Sequence, residues 1–312
     1  MNQKQLRQFG QRYRRYLRWM TPIGRYSPAW LWPLLQKTLG RYLSPYQLKE
    51  QTIRASLTEA VGAEQSTKAW EAWLDSHTHF VRDLSRYHLL EARTLQQWIH
   101  VANMDVVEQL RAEGGLLLSY HSYHPNTMAC VLDVMGCKVH AVTGRAEKTP
   151  LFPYIGPWIN RLNEETVKHL QGGEYLIIDN MRQLMRSTKS ALENKGVVIC
   201  LADLHKPDSK VGAFSLFSRQ ISPPSGVLDL ALRLQAPIYL AMCAPEGSQL
   251  ILQLHRLGVA DNRSDVLAAY IAFLEQACRQ NPACWQGWDW FSDLPEHTDT
   301  ANVTSAPSVG CD

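Results

Sequence analysis

The chain has 312 residues, of which 45% are hydrophobic and 20% charged, with a net charge of +3. That length suits one large domain or two modest ones with a well-buried core, and the near-balanced charge excludes a polyelectrolyte that binds nucleic acid along its whole length. No apolar run approaches the roughly 18 residues needed to span a bilayer, the N-terminus lacks the apolar stretch of a signal peptide, and the seven cysteines form no C-x-x-C pair, so the chain reads as a cytoplasmic protein with reduced, buried thiols.

Residues 1–110 read as helices. The first acid is Glu50, and before it come Lys4, Arg7, Arg12, Arg14, Arg15, Arg18, Arg25, Lys37, Arg41 and Lys49. Phe9, Tyr13, Tyr16, Trp19, Trp30, Trp32 and several leucines are interleaved with them. Basic residues mixed with aromatics suit the surface of an anionic membrane; the plainer alternative is a solvated helix packed on the domain through its aromatic side. "PYQLKEQTIRASLTEAVG" and "STKAWEAWLDSHTHFVRDLSRYHLL" place apolar residues at helical spacing. "TLQQWIHVANMDVVEQLRAEGG" has a strand-like centre, then a helix that stops at Gly114-Gly115.

The texture then changes. "GLLLSYH", "KVHAVTG", "EYLIID", "GVVICLAD" and "APIYLAMCAP" are short apolar runs separated by helical stretches, and "SQLILQLHRLG" reads as an added strand. This alternation predicts an α/β fold with a largely parallel sheet flanked by helices. The expected organisation is a helical N-terminal cap over 1–110, an α/β core over 111–293 and a disordered polar tail over 294–312.

Ligands of such sheets sit outside the carboxyl ends of the strands. His121 and His124 follow the first run of the core, Arg145 the second, and Asp203 follows "GVVICLA". A strand-end histidine is suited to general-base work near neutral pH, best when a carboxylate holds its second ring nitrogen. Asp203 is the best-placed carboxylate; Asn126 is nearer in sequence but neutral. The bland alternative is a hydrogen-bonded structural histidine. "HSYH" with Asp203 and His205 also admits a metal reading, but H-x-x-H at a strand end is not the helical pair of zinc hydrolases. There is no glycine-rich phosphate loop and no G-x-S-x-G elbow, and nothing beyond the basic N-terminus supports nucleic-acid binding.

Several segments, in order, resemble the lipid A biosynthesis acyltransferases of the lysophospholipid acyltransferase superfamily. "YHSYHPN" is similar to the family's G-H-F-G-N-W-E, with His121 on its histidine and Asn126 on its acid. "SLFSRQISPPSGVLDLALRLQAPIYLAMC" resembles its F-x-G-R-x-x-x-x-x-x-G stretch, with Arg219, Gly226 and Ala236-Pro237 in register and Ser218 replacing a glycine. "ALENKGVVICLAD" carries Asp203, and "GRAEKTPLFPYIGPWINRLN" places Arg145 and Arg161 where the family has arginines. "NPACWQGWDWF" is like the terminal P-x-x-W-x-W-x-H-x-R-[FW], without its histidine and arginine.

The resemblance spans roughly residues 10–293. It implies a peripheral acyltransferase on the cytoplasmic face of a bacterial inner membrane, acting in lipid A or lipopolysaccharide synthesis. An acyl carrier protein or CoA thioester would be the donor and a lipid hydroxyl or amine the acceptor, with no metal or cofactor beyond the donor's phosphopantetheine. His121 would be the base, with Asp203 or Asn126 orienting it. His124, Arg145, Arg161 and Arg219 would contact substrate phosphates or the pantetheine arm; each arginine also has an ordinary surface role. The replaced acid and the missing His/Arg leave two alternatives: an aminoacyl transferase, for example of glycine from a carrier protein to lipid A, or a non-catalytic lipid- or carrier-binding homologue.

Overall fold

The computed structural model describes residues 1–28, 30–85, 99–122, 125–207, 211–246 and 249–296. Its centre is a seven-stranded sheet in the order β1-β9-β8-β2-β5-β3-β4. The strands are β1 (Ile99–Val101), β2 (Gly115–Ser119), β3 (Val139–Thr143), β4 (Tyr175–Ile177), β5 (Val197–Leu201), β8 (Ile238–Glu246) and β9 (Gln249–Gly258). From β8 to β4 all pairings are parallel. Only β9 runs antiparallel to its neighbour β8, and the short β1 follows β9 in parallel. A small antiparallel hairpin, β6 (Phe214–Leu216) and β7 (Arg219–Ile221), stands apart from the sheet.

The apolar runs of β2 and β5 divide between two faces by strand alternation. Leu116, Leu118, Tyr120, Val198, Cys200 and Ala202 enter one core, and Leu117, Val197 and Ile199 the other. The first core is covered by α2 (Glu50–Val61), α3 (Ala63–Leu84), α7 (Met181–Glu193), α8 (Gly226–Arg233) and α9 (Arg263–Gln280). The second is covered by α4 (Met104–Glu113) and α5 (Pro125–Val134). Gly114 ends α4 with a φ of 70°, a conformation that L side chains rarely adopt, and a Cβ there would lie 2.4 Å from the Lys195 carbonyl carbon. This double requirement explains the glycine at that helix end. The described cysteines are buried.

The N-terminal region is a helical layer, but residues 1–110 are not wholly helical: β1 joins the sheet at its edge. The end of the core also differs from expectation. Leu294 is buried, and the Pro295 carbonyl accepts from the Gln220 N–H. The ordered chain therefore runs past 293, and residues 297–312 lie outside the described part.

Helix α1 (Gln3–Tyr26) starts with a capping box between Asn2 and Gln5. Its aromatic side is buried: Phe9, Tyr13, Tyr16, Leu17 and Met20 pack with Trp32, Val81 of α3 and Ile155 of α6 (Phe152–His169). The buried His77 of α3 bonds the Tyr13 hydroxyl at 3.0 Å and stacks on Tyr16. Burial lowers its pKa to about 3, so it serves as a neutral core group. The opposite side of α1 exposes Lys4, Arg7, Arg14, Arg15, Arg18 and Arg25, together with Trp19 and Tyr26. The two sequence readings of this helix thus describe its two sides. Among the described residues no helix is long and apolar enough to cross a membrane.

Gly10 lets α1 lie directly against α6, since a Cβ there would come within 2.2 Å of the Tyr154 ring. Gly10→Ala should lower stability by about 1–3 kcal/mol through overpacking, read as a lower urea midpoint; an unchanged midpoint would show that the ring moves aside freely.

Candidate functional site

Strands β2 and β5 are adjacent and parallel, paired through Ser119↔Leu201 at their carboxyl ends. The chain leaves β2 for α5 on one face, and after β5 it passes the hairpin and reaches α8 on the other. That divergence is a switch point, where open α/β sheets leave a crevice. His121 and Asp203 each lie two residues beyond these strand ends.

They meet there. His121 Nδ1 is 2.7 Å from Asp203 Oδ1, and the His121 backbone N–H donates to Oδ2 at 3.0 Å. The Trp285 indole N–H donates to the same Oδ2 at 2.7 Å. Asp203 is completely buried, whereas 30% of the His121 side chain is exposed. The loop is also fixed through its carbonyls. Tyr270 donates its hydroxyl to Ser119 O, the Gln286 N–H donates to His121 O, and the Gln286 side chain donates to Ser122 O. Trp285 is in turn fixed at its own carbonyl by the Trp73 indole of α3 at 2.8 Å.

These contacts define the electrostatics. Burial lowers the His121 pKa, but the Asp203 charge and hydrogen bond outweigh it, and the net value lies above the ordinary 6.5. For Asp203, burial raises the pKa; the charge and hydrogen bond of His121, the Trp285 indole and the His121 amide together bring it below the ordinary 3.8. The carboxylate therefore stays ionised and accepts Nδ1–H, which leaves a lone pair on Nε2. The described residues give Nε2 no hydrogen-bond partner, so it is free to take a proton from a bound group. Trp290 stands edge-on to the His121 ring at 5.8 Å, with its buried indole nitrogen lacking a partner among the described residues.

The remaining expected site residues are dispersed. Asn126, on the first turn of α5, donates to Thr166 Oγ1 at 3.2 Å and to the Tyr175 hydroxyl at 3.4 Å. It ties α5 to α6 and β4, and the orienting role falls to Asp203. Arg145 is paired with Asp179 at 2.7 Å, at a depression between β4 and α7. Arg161 is exposed on α6, beside a second depression next to α1. Neither His121 nor Asp203 lines either depression. Arg219 grips Glu59 of α2 through two bonds of 2.6 and 2.9 Å and donates to Leu294 O, which fastens the hairpin to the helical layer. His205 accepts from the Ser222 N–H, and His124 lies outside the described residues. Among the described residues no three His, Cys, Asp or Glu side chains cluster as metal ligands.

No known family model matches the chain, and no curated protein matches it in sequence. The resemblance set out above therefore rests on the quoted motifs alone. Its last motif acquires a concrete place: "WQGWDWF" holds Trp285, Gln286 and Trp290 around the His–Asp pair. Sequence reasoning did not assign these residues or Tyr270 and Trp73; the only signal was the density of tryptophans.

Two outcomes follow. In proton NMR, His121 should titrate above 6.5, and in Asp203→Asn below it, because burial then acts without the opposing charge; the same midpoint in both proteins would refute the pairing. Trp285→Phe removes one bond to a buried carboxylate and should cost about 1.5–3 kcal/mol, measured as a lower denaturant midpoint.

Proposed function

We propose that the protein is a membrane-peripheral acyltransferase in which His121 is the general base. The observation that supports this most is the buried, ionised Asp203 holding His121 Nδ1, with Nε2 left open at the switch point of the sheet. An acceptor hydroxyl or amine gives its proton to Nε2 as its oxygen or nitrogen bonds to the thioester carbonyl carbon of an acyl carrier protein or CoA donor. The tetrahedral adduct collapses, the C–S bond breaks, and the imidazolium returns the proton to the leaving thiolate. Asp203 stabilises the imidazolium and itself stays ionised.

The same sequence of steps serves an aminoacyl thioester, since only the carbonyl takes part. The replaced acid, which motivated that alternative and the non-catalytic one, loses weight: Asp203 supplies the carboxylate that Asn126 lacks. A buried charge held by three donors is costly to maintain without a use for the histidine that it orients.

The N-terminal layer supports a position on the cytoplasmic face of an inner membrane. The outer side of α1 carries six exposed basic residues and no acid, and Trp19, Tyr26, Trp30 and Leu34 are each 60% or more exposed. Tryptophan and tyrosine favour the headgroup region, and each basic residue there contributes about 1 kcal/mol on an anionic surface.

His121→Ala should abolish transfer of label from acylated carrier protein to lipid in a membrane extract, with an unchanged fold by circular dichroism. Asp203→Asn should reduce turnover by roughly 10²–10⁴, whereas Asn126→Ala should cost far less. Wild-type turnover in His121→Ala would end the proposal. Because the raised pKa means that the free base is present only above it, kcat/KM should fall as pH drops through a value above 6.5, and an acid limb well below that would assign the base elsewhere.

A further inference from the structure

Between the last turn of α1 and the middle of α6 lies a depression lined by Thr21, Arg25, Tyr26, Ser85, Trp158 and Arg161. Among the described residues its lining contains two guanidiniums and no carboxylate. Neither arginine takes part in an ion pair among the described residues, and Arg25 lies 5.7 Å from the Tyr26 ring. Two like charges directed at one hollow repel each other until a counter-charge enters. The depression between β4 and α7 differs in this respect: its Arg145 is already paired with Asp179, and Glu174 also lines it.

Thr21 supplies an independent indication. A helical threonine commonly returns its hydroxyl to the carbonyl one turn earlier. Thr78 and Thr166 do so, to Leu74 and Leu162. The Thr21 hydroxyl oxygen is buried and has no partner among the described residues. An unmade hydrogen bond of this kind is unfavourable and is relieved by a ligand that supplies the partner. The position of Arg25 in the last turn of α1 suits the helix dipole, but the dipole does not account for Arg161 on a different helix or for the orphaned hydroxyl.

We propose that this depression binds the phosphate group of a lipid headgroup. Arg25 and Arg161 grip the oxyanion, for which planar guanidiniums are well matched, and the Thr21 hydroxyl, once its side chain turns toward the hollow, donates to it. Tyr26, 77% exposed, and Trp158 flank the glycerol or sugar next to the phosphate. That aromatic area is of no use to an inorganic ion, and the basic side of α1 brings the site to an anionic surface. The site is separate from the His121–Asp203 pair. It shares with the proposed function the premise of a phosphorylated lipid but does not depend on chemistry at His121.

The test is calorimetric titration of the full chain with dihexanoyl phosphatidic acid below its micelle concentration, beside dihexanoylglycerol and inorganic phosphate. Saturable one-to-one binding of phosphatidic acid is expected, with none for dihexanoylglycerol and at least about tenfold weaker binding of inorganic phosphate. Arg25→Gln and Arg161→Gln should each weaken binding about tenfold or more, the loss of a charge-assisted contact, and Thr21→Val several-fold. Replacing Arg14 and Arg15 on the outer side of α1 should leave this soluble-lipid affinity unchanged. Absence of saturable binding, indifference to Arg25→Gln and Arg161→Gln, or equal affinity for inorganic phosphate would each overturn the assignment. His121→Ala should bind as the wild type does. A protein that binds the lipid through these arginines yet transfers no acyl group would defeat the proposed function and leave this site standing.

Discussion

The carboxylate of Asp203 is the constraint around which the molecule is organised. It has no solvent contact, and an isolated buried carboxylate would take up a proton to avoid the loss of hydration. Three donors prevent that: the ring and amide of His121 and the indole of Trp285. These donors come from the end of β2 and from the segment after α9, so the charge remains only while both are docked on β5. Trp285 depends in turn on Trp73 of α3 through its carbonyl. It also depends on Gly287, where a Cβ would come within 1.9 Å of the Trp285 ring. The helical layer thus reaches the dyad through hydrogen bonds and packing rather than by touching it.

Much of this was legible beforehand because it follows from periodicity. Apolar runs alternating with helical stretches imply parallel strands, and parallel strands put the residues after "GLLLS" and "GVVICL" at one edge. That was sufficient to bring together His121 and Asp203, 82 residues apart. The surrounding shell followed no such rule. Trp285 and Trp73 look like ordinary core aromatics in sequence, since nothing in a tryptophan's neighbours tells whether its N–H meets a carboxylate or a carbonyl. Arg219 illustrates the reverse difficulty: its motif position suggested a ligand contact, but its partner Glu59 lies 160 residues away.

Asn126 and α1 teach a related lesson about spacing. Four intervening residues would allow a side chain at the start of α5 to turn back to His121, yet Thr166 and Tyr175 offered it hydrogen bonds on the other side. For α1, composition suggested either packing or membrane contact, and helical geometry accommodates both by separating them around the axis. The aromatic arc lies on α3 and α6, while the basic arc with Trp19 and Tyr26 remains open.

The dependence of Asp203 on Trp285 has a consequence in time. During synthesis β2 appears first, β5 later, and the tryptophan segment last of the three. Until that segment emerges, the carboxylate faces water or a partly filled crevice, and its hold on the imidazole is weakened by solvent. A chain lacking the tryptophan segment would therefore hold the imidazole less firmly, and the pair would be complete only once that segment had docked.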